Sequence, residues 1–121
     1  MRAFLPTVLL APALVLAQAS FPTAFPAEAV PITAEALKQR LTGKSFTIKP
    51  AAGEEMRLQY QESNAFINIG SANDSGKWRA EGSTLCQDWR RFPVSCSEVR
   101  LLGDVMYLKR STGEVVVLQP K

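Results

Sequence analysis

Most of the chain alternates apolar and polar residues with a period of two, which is the pattern of strands that bury one face. The first such segment runs from Lys44 to Lys49 and places Phe46 and Ile48 on the same face. The same pattern predicts seven further strands, at Met56–Tyr60, Ala65–Ile69, Gly76–Glu81, Thr84–Asp88, Ser95–Leu101, Val105–Lys109 and Glu114–Gln119. The sequence therefore predicts a mainly β fold of about eight short strands.

Brief turn sequences separate these strands and exclude a parallel sheet. The predicted turns are Pro50–Gly53, Glu62–Asn64, Ser71–Gly76, Gly82–Ser83, Gly103–Asp104 and Ser111–Gly113. Parallel neighbours need crossover connections of about a dozen residues, and none of these turns is that long. We therefore expect a single antiparallel meander that forms either a small barrel or a strongly curled sheet.

One short helix is predicted before the first strand. Thr33 is a favourable N-cap residue, and Gly43 follows the expected end of the helix. Leu37 and Leu41 are four residues apart and form a narrow apolar stripe. A helix of about nine residues is marginal alone, so this one must dock on the β domain.

The first 19 residues have the layout of a secretory signal peptide. Arg2 supplies a positive charge, an apolar run follows, and Ala17 and Ala19 are small residues at the positions that a signal peptidase reads. The alternative is a membrane anchor, but the run is shorter than the roughly 20 apolar residues of a span and contains Pro6 and Pro12. We expect cleavage after Ala19, a periplasmic or secreted protein, and no membrane span in the mature form.

The mature chain begins with a proline-rich linker, residues 20–32. Three prolines, Pro22, Pro26 and Pro31, fall within ten residues and favour extended chain. This segment is expected to be an arm that lies on the surface or is disordered. Residues 33–121 are expected to form the β domain.

The two cysteines, Cys86 and Cys96, are predicted to form a structural disulfide. An exported chain enters an oxidising compartment, where cysteines pair. Nine residues lie between them, whereas a redox-active pair usually has two. Loop-closure entropy gives such a bridge about 2.5–3 kcal/mol of stabilisation.

Composition argues against several classes of function. The chain has no histidine, which is the commonest general base and metal ligand, and two cysteines alone cannot complete a four-ligand zinc site. Its formal charge of +3 is small for a nucleic-acid-binding surface. We expect no enzyme, no metal, no cofactor and no nucleic-acid partner. A hydrolase that uses Asp88 and Glu98 as its two carboxylates is an alternative, although salt bridges to Arg90, Arg91 or Arg100 are the simpler interpretation.

The loop closed by the disulfide is the candidate binding site. It contains two aromatic residues and two cations, residue types that dominate binding hot spots, and the disulfide lowers the cost of ordering them. The candidate residues are Asp88, Trp89, Arg90, Arg91 and Phe92. The alternative interpretation is that Trp89 and Phe92 fill the end of the barrel while the arginines are solvated.

Several short motifs resemble a group of small exported proteins of Gram-negative bacteria that are classed as domains of unknown function. The motifs are Leu41-Thr-Gly43, Gly76-Lys-Trp78, Leu85-Cys-Gln-Asp-Trp89, Cys96 with Val99, and Gly113 in the last hairpin. The resemblance implies export, a disulfide and a small β domain, and it implies no activity. Members often have an aspartate–glycine turn where this chain has Glu62-Ser63-Asn64.

The sequence thus predicts a non-catalytic binding module, expected to be a monomer. It would recognise a protein or a cell-envelope component through Asp88–Phe92, which requires Trp89, Arg90 and Arg91 to be exposed. Inhibition of a hydrolase such as lysozyme is one variant of this hypothesis. The rival hypothesis is a carrier of a small apolar ligand inside the barrel, but large inward side chains are expected to fill that space.

Overall fold

The computed structural model describes residues 20–121, which form a closed antiparallel barrel of eight strands, one additional strand and one helix. The elements are β1 (Val30–Pro31), α1 (Ala34–Leu41), β2 (Ser45–Ile48), β3 (Met56–Tyr60), β4 (Asn64–Ile69), β5 (Ala72–Glu81), β6 (Thr84–Trp89), β7 (Ser95–Leu102), β8 (Val105–Lys109) and β9 (Val115–Pro120). The predicted signal peptide and its cleavage site after Ala19 lie outside the described residues. Within residues 20–121, no helix is long and apolar enough to cross a membrane.

Consecutive strands from β2 to β9 pair in an antiparallel meander, and β9 returns to pair with β2. The closing ladder joins Phe46 to Pro120 and Thr47 to Gln119. Strand β1 pairs with β7, at Val30–Leu101, and is the additional ninth strand. The predicted mainly β meander is confirmed, and of the two predicted forms the barrel is the correct one.

The hairpin of β4 and β5 differs from its prediction. We expected a turn over Ser71–Gly76, but Ile69 pairs with Ala72, so the turn is Gly70–Ser71. Gly70 has a φ of +60°, a conformation that suits glycine. Gly76, predicted as the first residue of a strand, lies inside the longer strand β5, where a Cβ would be 2.2 Å from the carbonyl oxygen of Asp88. Polar residues that resemble a turn in sequence are paired strand residues here.

Helix α1 covers the end of the barrel at which β2 begins. Thr33 caps the helix as predicted, because its Oγ1 accepts a hydrogen bond from the Ala36 N–H at 3.1 Å. Leu37 and Leu41 are fully buried in one core with Phe46, Tyr60 and Trp78. The Trp78 indole N–H donates to the carbonyl oxygen of Gln61 at 2.7 Å, which leaves its ring free to pack. This end of the barrel is filled by side chains.

The proline-rich arm, residues 20–32, is held on the outside of the barrel. The Val115 N–H donates to the carbonyl oxygen of Pro22 at 2.8 Å. The Phe25 ring centre lies 4.4 Å from the guanidinium carbon of Arg100 and 5.5 Å from Lys109 Nζ, within the range of cation–π contacts. Ile32 at the end of the arm is buried. The segment therefore lies against the barrel, and its last residues include β1, which joins the sheet.

Candidate ligand site at the open end of the barrel

The predicted disulfide is present and joins the two strands that flank the candidate loop. Cys86 on β6 and Cys96 on β7 face each other in the ladder and are bonded through their sulfur atoms. The bridge lies on the outer face of the barrel, because the alternate residues Leu85, Gln87 and Ser97 are the buried inward ones. It therefore fixes the register of the β6–β7 hairpin without occupying the interior.

The five candidate loop residues divide into two groups. Trp89 is only 8% exposed, and Phe92 is partly buried against the core. Recognition through the loop requires an exposed Trp89, so this burial contradicts that requirement. It agrees with the alternative interpretation, in which Trp89 and Phe92 lie at the end of the barrel. Asp88, Arg90 and Arg91 are exposed to solvent. The aromatic residues belong to the barrel end, and the charged residues belong to the surface.

A buried carboxylate, Asp74, holds the loop in place. Its side chain, on β5, accepts hydrogen bonds from the backbone N–H groups of Arg91 at 2.7 Å, Phe92 at 2.8 Å and Ser75 at 2.8 Å. Burial by itself raises the pKa of the Asp74 carboxyl, but these donors and the nearby Arg91 guanidinium lower it below its ordinary value. Sequence reasoning missed this residue because it lay inside the predicted turn Ser71–Gly76.

A cavity of about 360 Å³ lies beside the buried aromatic residues of the loop. Strand β2 starts at the helix and ends at Ile48, and β3 and β4 have Met56 and Ile69 at the same far end. The cavity is therefore at the end of the barrel opposite α1. Its apolar wall consists of Ile48, Met56, Leu58, Ile67, Ile69 and Leu108, together with Trp89 and Phe92.

The expectation that large side chains fill the whole barrel is wrong at this end. Two of the inward positions on β7 are occupied by small residues, Ser95 and Ser97, and both line the cavity. The volume that a larger residue would fill at these positions is left open. The alternation on β7 predicts the strand, and the small size of its two inward serines is the sequence signal for the cavity.

The cavity opens to solvent beside β7. The first half of this strand pairs with β6, and its second half, Val99–Leu102, pairs with β8. Within residues 20–121, no ladder joins Ser95–Ser97 to the turn after β8, where Arg110 and Ser111 line the cavity. Val94 at the same rim is 62% exposed. A small molecule could therefore enter at this side.

The inner end of the cavity carries a polar group, the amide of Gln87. Its Oε1 accepts a hydrogen bond from the Tyr60 hydroxyl at 2.5 Å, and its Nε2 donates to Ser95 Oγ at 3.3 Å. Complete burial raises the pKa of Tyr60 well above its ordinary value, so this hydroxyl keeps its proton and remains a donor. The amide thus lies between the two hydroxyl groups, with Nε2 next to Ser95 of the cavity lining.

The ionisable residue of the cavity lining, Arg110, is paired. Its Nη1 lies 2.9 Å from Oε1 of Glu114, which is 4% exposed. The second oxygen of Glu114 accepts a hydrogen bond from the Ala51 N–H at 2.9 Å. The guanidinium charge at the rim is therefore compensated within the protein.

The two carboxylates of the hydrolase alternative do not come together. Glu98 pairs with Thr84 in the ladder, whereas Asp88 lies four residues further along β6, which is roughly 13 Å at the rise of a strand. Glu98 Oε2 lies 2.8 Å from Arg100 Nε, in one of the predicted salt bridges. This pair therefore lacks the geometry that two carboxylates need to act on one bond.

Comparison with protein-family models, with curated proteins and with solved structures finds no match to this chain. Membership of the exported Gram-negative group that the motifs resemble therefore stays a prediction. The disulfide fits an extracytoplasmic protein, since such bonds persist in oxidising compartments.

Proposed function

We propose that this protein is a non-catalytic binding module that holds a small apolar ligand in the cavity at the open end of its barrel. The observation that supports this function best is the cavity itself, which lies within the size range of small-molecule sites and has a mostly apolar wall with few polar groups. Of the two binding hypotheses from the sequence, this one agrees with the burial of Trp89 and Phe92.

The loop has a different role in this proposal from the one first expected. Trp89 and Phe92 form part of the wall, and Asp74 and the disulfide hold the backbone that carries them. A wall that is already ordered does not have to be immobilised when the ligand binds, which lowers the cost of binding. The loop thus supports the site from one side.

Titration with the uncharged fluorescent probe N-phenyl-1-naphthylamine tests this function. We expect saturable fluorescence enhancement with one probe per chain, because the probe becomes bright in an apolar site. Ile69→Phe, which adds a ring to the cavity lining, should weaken binding at least tenfold. Val105→Phe adds a ring at an exposed position of β8 and is the matched control that should bind like the parent.

Two results would contradict the proposal. One is a parent protein that gives no saturable signal. The other is equal binding by the parent and by a folded Ile69→Phe protein, since the probe would then lie elsewhere.

A second candidate function is recognition of a protein or an envelope component through the exposed arginines of the loop. The observation in its favour is that the backbone at Arg90 and Arg91 is fixed, through Ser75 and Asp74, while both side chains are exposed. The double variant Arg90→Glu, Arg91→Glu should then abolish capture of the partner from a cell-envelope extract and leave probe binding unchanged. If capture by the parent and by the double variant is identical, this candidate is wrong.

We further propose that the protein acts after export, in the periplasm or the surrounding medium. The signal-like layout of residues 1–19 and the need of the disulfide for an oxidising compartment support this location. The mass of the protein purified from its own cells tests cleavage after Ala19.

A further inference from the structure

We infer that the ligand of the barrel cavity is an uncharged molecule with a hydrocarbon body and one carbonyl oxygen, which the Gln87 amide receives at the inner end. This inference rests on the proposed function and adds the chemical class of the ligand. Three features of the cavity lead to it: a free hydrogen-bond donor, the lack of a free charge, and the size of the apolar space.

The donor is the Gln87 amide nitrogen. Its Nε2 has two N–H groups, whereas Ser95 Oγ can accept one of them. Within residues 20–121, Nε2 makes no second side-chain hydrogen bond, and Oε1 is directed at the Tyr60 hydroxyl. Gln87 is itself 8% exposed, so a ligand oxygen here would be bonded in a mostly dry site. An acceptor atom therefore satisfies a donor that the fold leaves available.

The charge of the lining excludes an ionised group at the inner end. Arg110 is at the rim and is already paired with Glu114, and Tyr60 stays neutral. A carboxylate or an ammonium group beside Gln87 would be buried without a counter-charge, which is costly. The acceptor that fits is a neutral carbonyl oxygen, as in a ketone, an ester or a lactone.

The volume limits the size of the hydrocarbon body. A space of about 360 Å³ lies near the lower end of the range for small-molecule sites. Wall residues such as Leu58, Ile67 and Leu108 are aliphatic and suit an alkyl chain. A methyl ketone such as 2-decanone has the appropriate size, charge and acceptor.

Displacement of bound N-phenyl-1-naphthylamine by 2-decanone and by decanoate at pH 7 tests this inference. We expect 2-decanone to displace the probe at a concentration at least tenfold lower than decanoate. In Gln87→Met, which keeps the length of the side chain but removes the donors, 2-decanone should bind about five- to tenfold more weakly, the value of one hydrogen bond. The affinity of the probe, which has no carbonyl group, is measured for both proteins, and the expected loss is the loss of ketone affinity relative to probe affinity. Gln59→Met, at an exposed position on β3, is the matched control.

Gln87→Met leaves the Tyr60 hydroxyl without its acceptor and therefore risks misfolding. In that case a spectroscopic measurement on the parent protein tests whether the bound carbonyl oxygen accepts a hydrogen bond. The infrared carbonyl stretch of bound 2-decanone, isolated with a ¹³C label, should lie at a lower frequency than in hexane, because the oxygen accepts a hydrogen bond. A stretch at the hexane frequency would overturn the inference.

The remaining outcomes separate this inference from the proposed function. If the probe binds but decanoate competes as well as 2-decanone, or a folded Gln87→Met protein retains full ketone affinity, the carbonyl class is wrong and the cavity site stands. If the probe does not bind to the parent protein, the proposed function fails and this inference fails with it.

Discussion

The two ends of the barrel are built from the same strands, but only one of them is filled. At the helix end, Leu37 and Leu41 of α1 pack into one core with Tyr60 and Trp78. At the opposite end, within residues 20–121, no helix covers the strands, and small residues occupy inward positions on β7. The comparison teaches that closing the ladder of a small barrel does not by itself fill its interior.

The difference in packing between the two ends separates the residues that stabilise the fold from those that border the ligand site. Apolar side chains at the helix end make close contacts and lose them if they are shortened, whereas those at the open end already border a cavity. A ligand at the open end would supply the missing contacts and stabilise the folded protein according to its concentration and affinity. We therefore expect truncations to have unequal effects at the two ends.

The largest expected effect on stability comes from shortening a leucine at the filled end. Leu41→Ala should lower the free energy of unfolding by about 3–5 kcal/mol, because it leaves a new cavity in a close-packed core. The matched truncation at the open end, Ile69→Ala, should cost about 1–2 kcal/mol, because Ile69 is partly exposed and lines existing space. Urea denaturation measures both. Equal losses would contradict the difference between the two ends.

Removal of the disulfide is expected to have the next largest effect. The double variant Cys86→Ser, Cys96→Ser should lose about 2.5–3 kcal/mol, since the unfolded chain regains the entropy of the closed loop. It should also bind the naphthylamine probe more weakly, because the loop carries Trp89 and Phe92 of the cavity wall. The parent protein reduced with dithiothreitol is the control and should behave in the same way. Unchanged probe binding would indicate that the disulfide does not support the site.

The buried carboxylate that holds the loop gives a smaller, pH-dependent effect. The pKa of Asp74 is lower in the folded protein than its ordinary value of 3.8, so the folded state binds fewer protons than the unfolded chain in this range. The ionised carboxylate therefore stabilises the protein above about pH 4, and this contribution is lost as the pH falls through the folded pKa. Asp74→Asn should lower the Tm by about 5–10 °C at pH 7, because the amide replaces one acceptor oxygen with a donor.

Thermal melts of parent and Asp74→Asn between pH 7 and pH 2 test the sign of this effect. The difference between their Tm values should narrow below about pH 4, where the parent carboxyl takes up its proton. Asp104→Asn, at a fully exposed carboxylate, is the control and should melt like the parent throughout. A difference that widens toward acid would mean that the pKa of Asp74 is raised.

The smallest expected effect is at the exposed arginine of the loop. Arg90→Ala should change the free energy of unfolding by less than about 0.5 kcal/mol, since its side chain is solvated and lies outside the cavity. Probe binding should also be unchanged. A loss of probe affinity in this variant would show that the surface of the loop, and not only its buried side, belongs to the site.

The sequence predicts most of the fold because its dominant signals are local. Strands β3 and β8 have their predicted bounds, and the inward face with Phe46, Ile48 and Leu58 follows directly from the alternation. Thr33 as the helix cap and the Cys86–Cys96 disulfide are local signals of the same kind. Each depends on neighbouring residues or on a known redox environment.

The candidate site was harder to predict because it depends on distant contacts. Asp74 lies in a stretch that resembles a turn, and its role depends on N–H groups 17 and 18 residues away. The burial of Trp89 depends on the curvature of the closed barrel, which periodicity does not specify. The cavity itself depends on the sizes of side chains that meet across β4, β6 and β7. The strand pattern predicts which residues point inward, but it does not predict how completely their side chains fill the interior.

Native mass spectrometry of the protein purified from its own cells is the most direct test of the central claim that the open end holds a small apolar ligand. We expect a reproducible adduct on the order of two hundred daltons on the folded parent, in keeping with the cavity volume. The Ile69→Phe variant, purified in the same way, should lack it, and Val105→Phe should retain it. An identical adduct on a folded Ile69→Phe protein, or a bare parent that also fails to bind the naphthylamine probe, would contradict the claim.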